Sequence, residues 1–364
     1  MNKSFINGLD LAELFYHEAV KPVLDKHYPD LPHSAALIGM GSEVMDFDTE
    51  QSTDHDWGPR LLLFLDSADH GTYQSALNNR LRHELPTEVR GYATSFTPNE
   101  DGTGRMDITE GAEIEHRVMI LTVQGLFRYV LNFDPTDTIT AVDWVSVSDY
   151  DLLMLTSGRV FHDGLGQLNP LRTKLRYYPD DVWLYLLAAQ WKRIAQEEAF
   201  MGRCGQVGDE LGSRLVASRL VRDLMRLCFL MERHYAPYIK WFGSAFAQLD
   251  SADRLAPVLT DILSANTWQE RQTHLSLAYA FVAQMHNNLG ITKPLSAQVS
   301  QFHNRPFWVI HADRFVDEIR ACIHDEAVLA LPEHLGSIDQ FVDSTDAMNM
   351  SARFRPVYLP NLLD

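Results

Sequence analysis

With 49 acidic against 31 basic side chains in 364 residues, the chain has a formal net charge of −18, and 46% of its residues are hydrophobic. The hydrophobic share is ordinary for a globular protein, and the length suits two domains. So negative a charge excludes broad binding to nucleic acid or to anionic membrane, whose phosphates repel it. A small basic pocket for one nucleotide or one tRNA end stays compatible with it, and cationic small molecules would be attracted. Cys204, Cys228 and Cys322 are scattered without CxxC spacing, which argues against a disulfide framework and for a reducing cytoplasm. The opening Met-Asn-Lys-Ser-Phe-Ile lacks the pattern of a signal peptide, and no apolar run approaches the ~18 residues of a membrane span.

In chain order, residues 8–26 read as an amphipathic helix, with Leu11, Leu14, Phe15 and Ala19 at helical spacing. A first strand is expected at 35–40 and a second from near Asp54 to 65. Residues 69–85 read as a helix on Tyr73, Leu77, Leu81 and Leu85, stopped by Pro86. A strand at 89–96, a polar loop at 98–104 and a third central strand at 113–123 follow. Helices at 124–132, 142–146 and 148–156 precede a short last strand and turn, Val160-Phe161-His162-Asp163-Gly164. From Asp181 the pattern turns helical, over 181–199, 209–234, 238–249, 252–264, 267–289, 295–299 and 306–324. The expectation is an α+β protein: a mixed sheet with flanking helices over 1–175, then an all-α bundle over 176–364.

The segment that carries chemistry runs from Gly41-Ser42, through eleven residues, to Asp54-His55-Asp56, with apolar runs on both sides. In an extended strand Asp54 and Asp56 would share a face about 6.6 Å apart, with His55 on the other face. Mg²⁺ prefers hard oxygen ligands, so one or two carboxylates plus substrate phosphates complete its shell. Gly41 lets a phosphate approach the backbone, and Ser42 offers a hydroxyl and an amide to phosphate oxygens.

This stretch resembles the signature of the nucleotidyltransferase superfamily, the polymerase-β-like fold. The run from Met40 to Glu43 and from Asp48 to Arg60 is similar to a bacterial branch of unassigned function, distantly like kanamycin and lincosamide nucleotidyltransferases. The similarity continues through Val160–Gly164, Tyr178-Pro179-Asp180-Asp181-Val182-Trp183 and Gly336-Ser337-Ile338-Asp339-Gln340-Phe341, and so covers most of the chain. The resemblance implies a nucleotidyltransferase-type sheet domain, a Mg²⁺ (or Mn²⁺) ion on Asp54 and Asp56, and a nucleoside triphosphate on Gly41 and Ser42. It also implies a third acid on a neighbouring strand, for which Glu115 and Glu113 are candidates. In the branch itself that acid falls where this chain has Met119, a departure that would deplete the metal site. Lys240, in Tyr235-Ala236-Pro237-Tyr238-Ile239-Lys240-Trp241, is similar to a lysine-tryptophan segment of antibiotic adenylyltransferases, where it would meet the triphosphate.

Glu197, Glu198, Asp209 and Glu210 flank a glycine-rich link, Gly202 to Gly208, read as a loop able to line a cleft and to offer a general base. Arg60 and Arg222 are further phosphate candidates, and Asp163 reads as a turn residue. The expected activity is transfer of an NMP group to a hydroxyl acceptor, either a small molecule such as an antibiotic or a protein or tRNA end. The alternative is a non-catalytic nucleotide-binding or regulatory protein on the same fold.

Overall fold

The computed structural model describes residues 5–100, 103–107, 113–333 and 335–349, with single positions 351, 353 and 355. The first helix, α1 (Gly8–Phe15), begins at Asn7, whose side chain accepts the amide of Asp10. It continues through a π turn, Tyr16–Val20, into α2 (Lys21–His27). There follow β1 (His33–Leu37), β2 (Arg60–Leu65), α3 (Ser67–Glu84), the short pair β3 (Glu88–Val89) and β4 (Tyr92–Ala93), and the hairpin β5 (Phe96–Pro98) and β6 (Gly104–Met106). Then come β7 (Arg117–Leu121), α4 (Val123–Leu131), α5 (Ala141–Val145), α6 (Asp149–Thr156), β8 (Arg159–Asp163) and α7 (Leu168–Lys174). The remainder is helical: α8 (Asp180–Glu197), α9 (Phe200–Gln206), α10 (Glu210–Met231), α11 (Ile239–Phe246), α12 (Ala252–Ser264), α13 (Trp268–Leu289) and α14 (Asp313–Arg320) are its main members. The fold is α+β, as expected. Among the described residues no helix is long and apolar enough to cross a membrane.

The chain forms two compact units, residues 1–137 with 152–176, and residues 138–151 with 177–364. The first holds a mixed four-stranded sheet in the order β7-β2-β1-β8. β2 runs antiparallel to β1 and parallel to β7, and β8 runs antiparallel to β1. The pairs Ala36↔Leu62, Leu37↔Arg159 and Arg60↔Arg117 bring the end of β1 and the starts of β2, β7 and β8 to one end of the sheet. One face carries Ala35, Leu61, Leu63, Val118 and Ile120, which pack on Phe15, Tyr16, Val20, Leu77 and Leu81. Each such large apolar side chain taken from water contributes about 1.5–3 kcal/mol. The other face carries the cross-strand row Ala36, Leu62 and Met119.

Several elements are shorter than the sequence pattern suggests, for local reasons. β1 stops at Leu37, and the chain turns at Gly39 (φ +100), whose amide donates to Met154 O. β2 does not reach back to Asp54. Thr49 forms a capping box with Ser52, which winds Glu50–Asp54 into a 3₁₀ turn. Asp56 at φ 50 and Gly58 at φ +138 then break any extended run before Arg60. β7 begins at Arg117 rather than 113, because the amides of Ile114 and Glu115 bond to Arg82 O and Ser95 Oγ instead of a strand. The expected 89–96 strand is split into β3 and β4, with β5 beginning at Phe96, and part of the 98–104 loop is the β5–β6 hairpin.

In the second unit Trp191 of α8 stacks on Phe315 of α14, with ring centroids 4.1 Å apart. The glycine-rich link is largely helix α9, a correction to the loop reading. A Cβ on Gly202 would lie 2.7 Å from Phe307, and one on Gly205 would overlap the Trp268 ring, so these glycines are seams of close packing. Residues 295–299 are not helical, and the expected 306–324 helix narrows to α14, preceded by Trp308–Val309 pairing with Ser300–Gln301.

Candidate functional site

The Gly41-Ser42 turn follows β1 and the Asp54–Asp56 loop precedes β2, so the antiparallel register brings both to the same end of the sheet. Gly41 sits at φ +140, and a Cβ there would lie 2.6 Å from Glu43 Oε2 and overlap Arg60 Nη2. Ser42 leads into a 3₁₀ turn, Glu43–Met45, and its carbonyl accepts the amides of Met45 and Phe47. Glu43 is only 3% exposed. It pairs with Arg60, whose Nε is 2.7 Å from Glu43 Oε1 and whose Nη2 donates to Met40 O. Arg60, a phosphate candidate by sequence, therefore fastens the Gly-Ser turn to the start of β2.

The two aspartates do not share a strand face, which corrects the geometry expected for them. Asp54 ends the 3₁₀ turn and is 66% exposed, with His55 Nδ1 2.8 Å from its Oδ1. His55 is thus beside Asp54 rather than directed away as a strand residue. Asp56 is pinned to β6: its amide donates to Gly104 O at 2.7 Å, and its Oδ1 accepts the Gly104 amide at 3.0 Å. The same Oδ1 pairs with Arg117 Nη2 at 2.7 Å. Arg117 also lies over the Phe96 ring, 4.6 Å from its centroid. Sequence reasoning placed Arg117 on a strand face but missed this pairing, which arises only when β7 lies parallel to β2.

The third-acid candidates lie just before β7. Glu113 Oε2 is 2.9 Å from Arg82 Nη2, and Glu115 pairs with the same nitrogen. Met119, in β7 itself, is 55% exposed and stands beside Leu62. Among the described residues no three His, Cys, Asp or Glu side chains come together as a metal site. The donor chemistry of Asp54 and Asp56 still fits Mg²⁺, provided a triphosphate and water supply the other oxygens.

The second-unit candidates have structural partners. Glu197 pairs with Arg219, and Asp209 caps α10 by accepting the Gly212 amide. Glu210 accepts the Trp268 amide and lies 3.4 Å from Arg271. Glu198 accepts the amides of Ile310, His311 and Ala312, and burial pushes its carboxyl up to about 7 against their pull. Arg222 pairs with Asp343 at 2.7 Å. Tyr235 is buried against Tyr177 and Tyr178, and Tyr238 packs against Tyr150, so these rings serve the packing. Lys240 is exposed, its Nζ 5.1 Å from the Trp241 ring centroid. In the first unit Asp163 caps α7 through the amides of Gln167, Leu168 and Asn169 and accepts the Ser34 hydroxyl, a turn role.

Sequence reasoning also missed a buried polar cluster in the second unit. Asp149 Oδ1 accepts the Tyr178 hydroxyl at 2.6 Å, and the Asp149 amide donates to Asp339 Oδ2 at 2.8 Å. Arg226 Nη1 lies 4.0 Å from Asp149 and 3.7 Å from Asp339. Burial raises both carboxyls, and the neighbouring Asp149 adds to the rise of Asp339, which reaches about 7.

A family described as a domain of unknown function, DUF4037, matches residues 144–242. No curated protein matches the chain. Among solved structures, the chain is similar to a nucleotidyltransferase-like protein from Exiguobacterium sibiricum 255-15. That similarity has 11% identity and a TM-score of 0.32, over 84% of this chain and 87% of that one.

Proposed function

We propose that the chain is a Mg²⁺-dependent nucleotidyltransferase that moves an NMP group from a nucleoside triphosphate to a hydroxyl acceptor. The acceptor oxygen bonds to the α-phosphorus as its hydroxyl proton passes to water, the bond from that phosphorus to the bridging oxygen breaks, and pyrophosphate leaves. The observation that carries this reading is the register that sets the Gly41-Ser42 turn and the Asp54–Asp56 loop at one end of adjacent antiparallel strands. At Gly41 the missing Cβ lets the Glu43–Arg60 pair close against the turn, and Ser42 offers its hydroxyl and amide to the β- and γ-phosphates. Asp54 and Asp56 would hold Mg²⁺, which neutralises triphosphate charge when bound. The Glu43–Arg60 pair keeps the turn in register with β2, so the chain's own contribution is positioning. Glu115 would act as third acid only by exchanging its Arg82 partner.

The net charge of −18 favours a small cationic acceptor over a tRNA end, and the scattered cysteines accord with a cytoplasmic location. The test is labelled ATP, GTP, CTP and UTP against aminoglycosides, lincosamides, total tRNA and protein extract, with the Asp54→Asn/Asp56→Asn double variant beside the wild type. Mg²⁺-dependent transfer lost in the double variant supports the reading, and unchanged transfer sinks it.

Met119 favours a second reading, a nucleotide-binding or regulatory protein without transfer, because an exposed thioether stands on β7 where an acid is wanted. Calorimetry showing Mg²⁺ and nucleotide binding, with no pyrophosphate released against any acceptor, would favour it over transfer.

A further inference from the structure

We infer that Arg117 is the resident counter-cation of Asp56 and that a divalent metal must displace it to bind there. This rests on the reading of Asp54 and Asp56 as metal ligands, and it concerns how that site is controlled. The guanidinium is held on three sides. Asp56 Oδ1 lies 2.7 Å away, the Phe96 ring lies 4.6 Å below, and the Gly104 backbone is so close that a Cβ there would overlap Nη2. Asp56 is equally fixed, by its amide and by Oδ1, to the backbone of Gly104. The carboxylate and the guanidinium are thus built to meet, on the short β5–β6 hairpin that serves as their common floor.

Charge makes this pairing exclusive. A metal on Asp56 would stand within a few ångström of a fixed positive charge, which repels it, so metal and Arg117 compete for one carboxylate. Arg60 stands directly across from Arg117 on β2, and it too is satisfied by a carboxylate, Glu43. Two neighbouring guanidiniums at the sheet end are therefore each neutralised without nucleotide. When the metal takes Asp56, Arg117 is released beside Arg60, and a triphosphate is the anion of matching charge for it. Metal and triphosphate bind together under this scheme, and metal alone binds weakly.

The test is a Mn²⁺ titration followed by electron paramagnetic resonance, without nucleotide, on the full chain. Arg117→Gln is expected to bind Mn²⁺ about 1.5- to fivefold more tightly than the wild type, the range set by one exposed ion pair removed. Asp56→Asn is expected to abolish that gain in the Arg117→Gln background. Equal or weaker Mn²⁺ binding by Arg117→Gln overturns the inference, as does a gain that survives Asp56→Asn. If Arg117→Gln does not fold, Arg117→Met replaces it, because methionine is neutral and keeps an apolar contact with Phe96. The same tightening is then expected, and its absence overturns the inference. Nucleotide transfer is read separately. A shifted Mn²⁺ affinity without transfer contradicts the transfer reading alone, and transfer with an unshifted Mn²⁺ affinity contradicts the role of Arg117 alone.

Discussion

Replacing Gly41 by alanine tests whether the Gly-Ser turn is as tightly built as its contacts imply. At φ +140 a Cβ is strained whatever surrounds it, and a backbone outlier of this kind costs about 1–3 kcal/mol. The new Cβ would also lie 2.6 Å from Glu43 Oε2 and overlap Arg60 Nη2. Those atoms are the ends of flexible side chains, but Glu43 is only 3% exposed and cannot move into water without leaving Arg60. Gly39 is the internal control, because it sits at φ +100 and a Cβ added there meets nothing within 4 Å. Gly39→Ala should show the backbone cost alone. Gly41→Ala should exceed it by roughly 1 kcal/mol or more, the worth of a disturbed charged hydrogen bond. Urea denaturation followed by circular dichroism measures both. Equal losses for the two variants would refute the claim that the Glu43–Arg60 pair braces the turn.

Three further outcomes follow from the packing and the buried charges. Gly205→Ala gains about 1 kcal/mol of helix propensity in α9. It also drives a Cβ into Trp268, so calorimetry should show a net loss of about 1–2 kcal/mol, and a gain in stability would contradict the packing. Asp339 and Glu198 have folded pKa values raised to about 7, above their unfolded values, so the stability each contributes is fully present only below the unfolded pKa. It is lost as pH rises from about 4 through about 7, so the thermal midpoint should fall across that window and level off above it, and Asp339→Asn should flatten the fall. His286, held down to about 4 by burial, works in the opposite sense over the same window, because its contribution is lost as pH falls from 6.5 through about 4. Asp149 and Asp151 are raised by burial as well, and His33, His116 and His311 are lowered by it, so the difference between the wild type and Asp339→Asn is what isolates the Asp339 contribution. Met119→Asp puts a carboxylate on β7 beside Leu62, and tighter Mn²⁺ binding by calorimetry is expected.

What was legible in the residues depended on how local its cause was. The spacing of Tyr73, Leu77, Leu81 and Leu85 with Pro86 gave α3 almost to its ends, because one apolar stripe and one stop define it. The helical character of the second half was legible for the same reason. The start of β2 was not, because the Thr49–Ser52 capping box and the positive φ of Asp56 and Gly58 stop the extended run of Leu61–Leu65 from reaching back to Asp54. Gly202 and Gly205 read as a loop by composition. Their purpose lies in Phe307 and Trp268, far along the chain, and no local rule reaches that contact. At the candidate site the residue types were legible as an ensemble, Gly41, Ser42, Asp54 and Asp56. Their partners were not, since Arg117 and Arg60 meet Asp56 and Glu43 only once the sheet is paired.

The central claim is that the end of the sheet bearing Gly41-Ser42 and Asp54–Asp56 receives a metal-bound triphosphate. A crystal structure with Mg²⁺ and a nonhydrolysable nucleoside triphosphate tests it most directly. The account predicts phosphate oxygens at the backbone of Gly41 and Ser42, a metal bound by Asp54 and Asp56, and Arg117 moved off Asp56. A nucleotide bound elsewhere, with the Asp56–Arg117 pair intact, would contradict it.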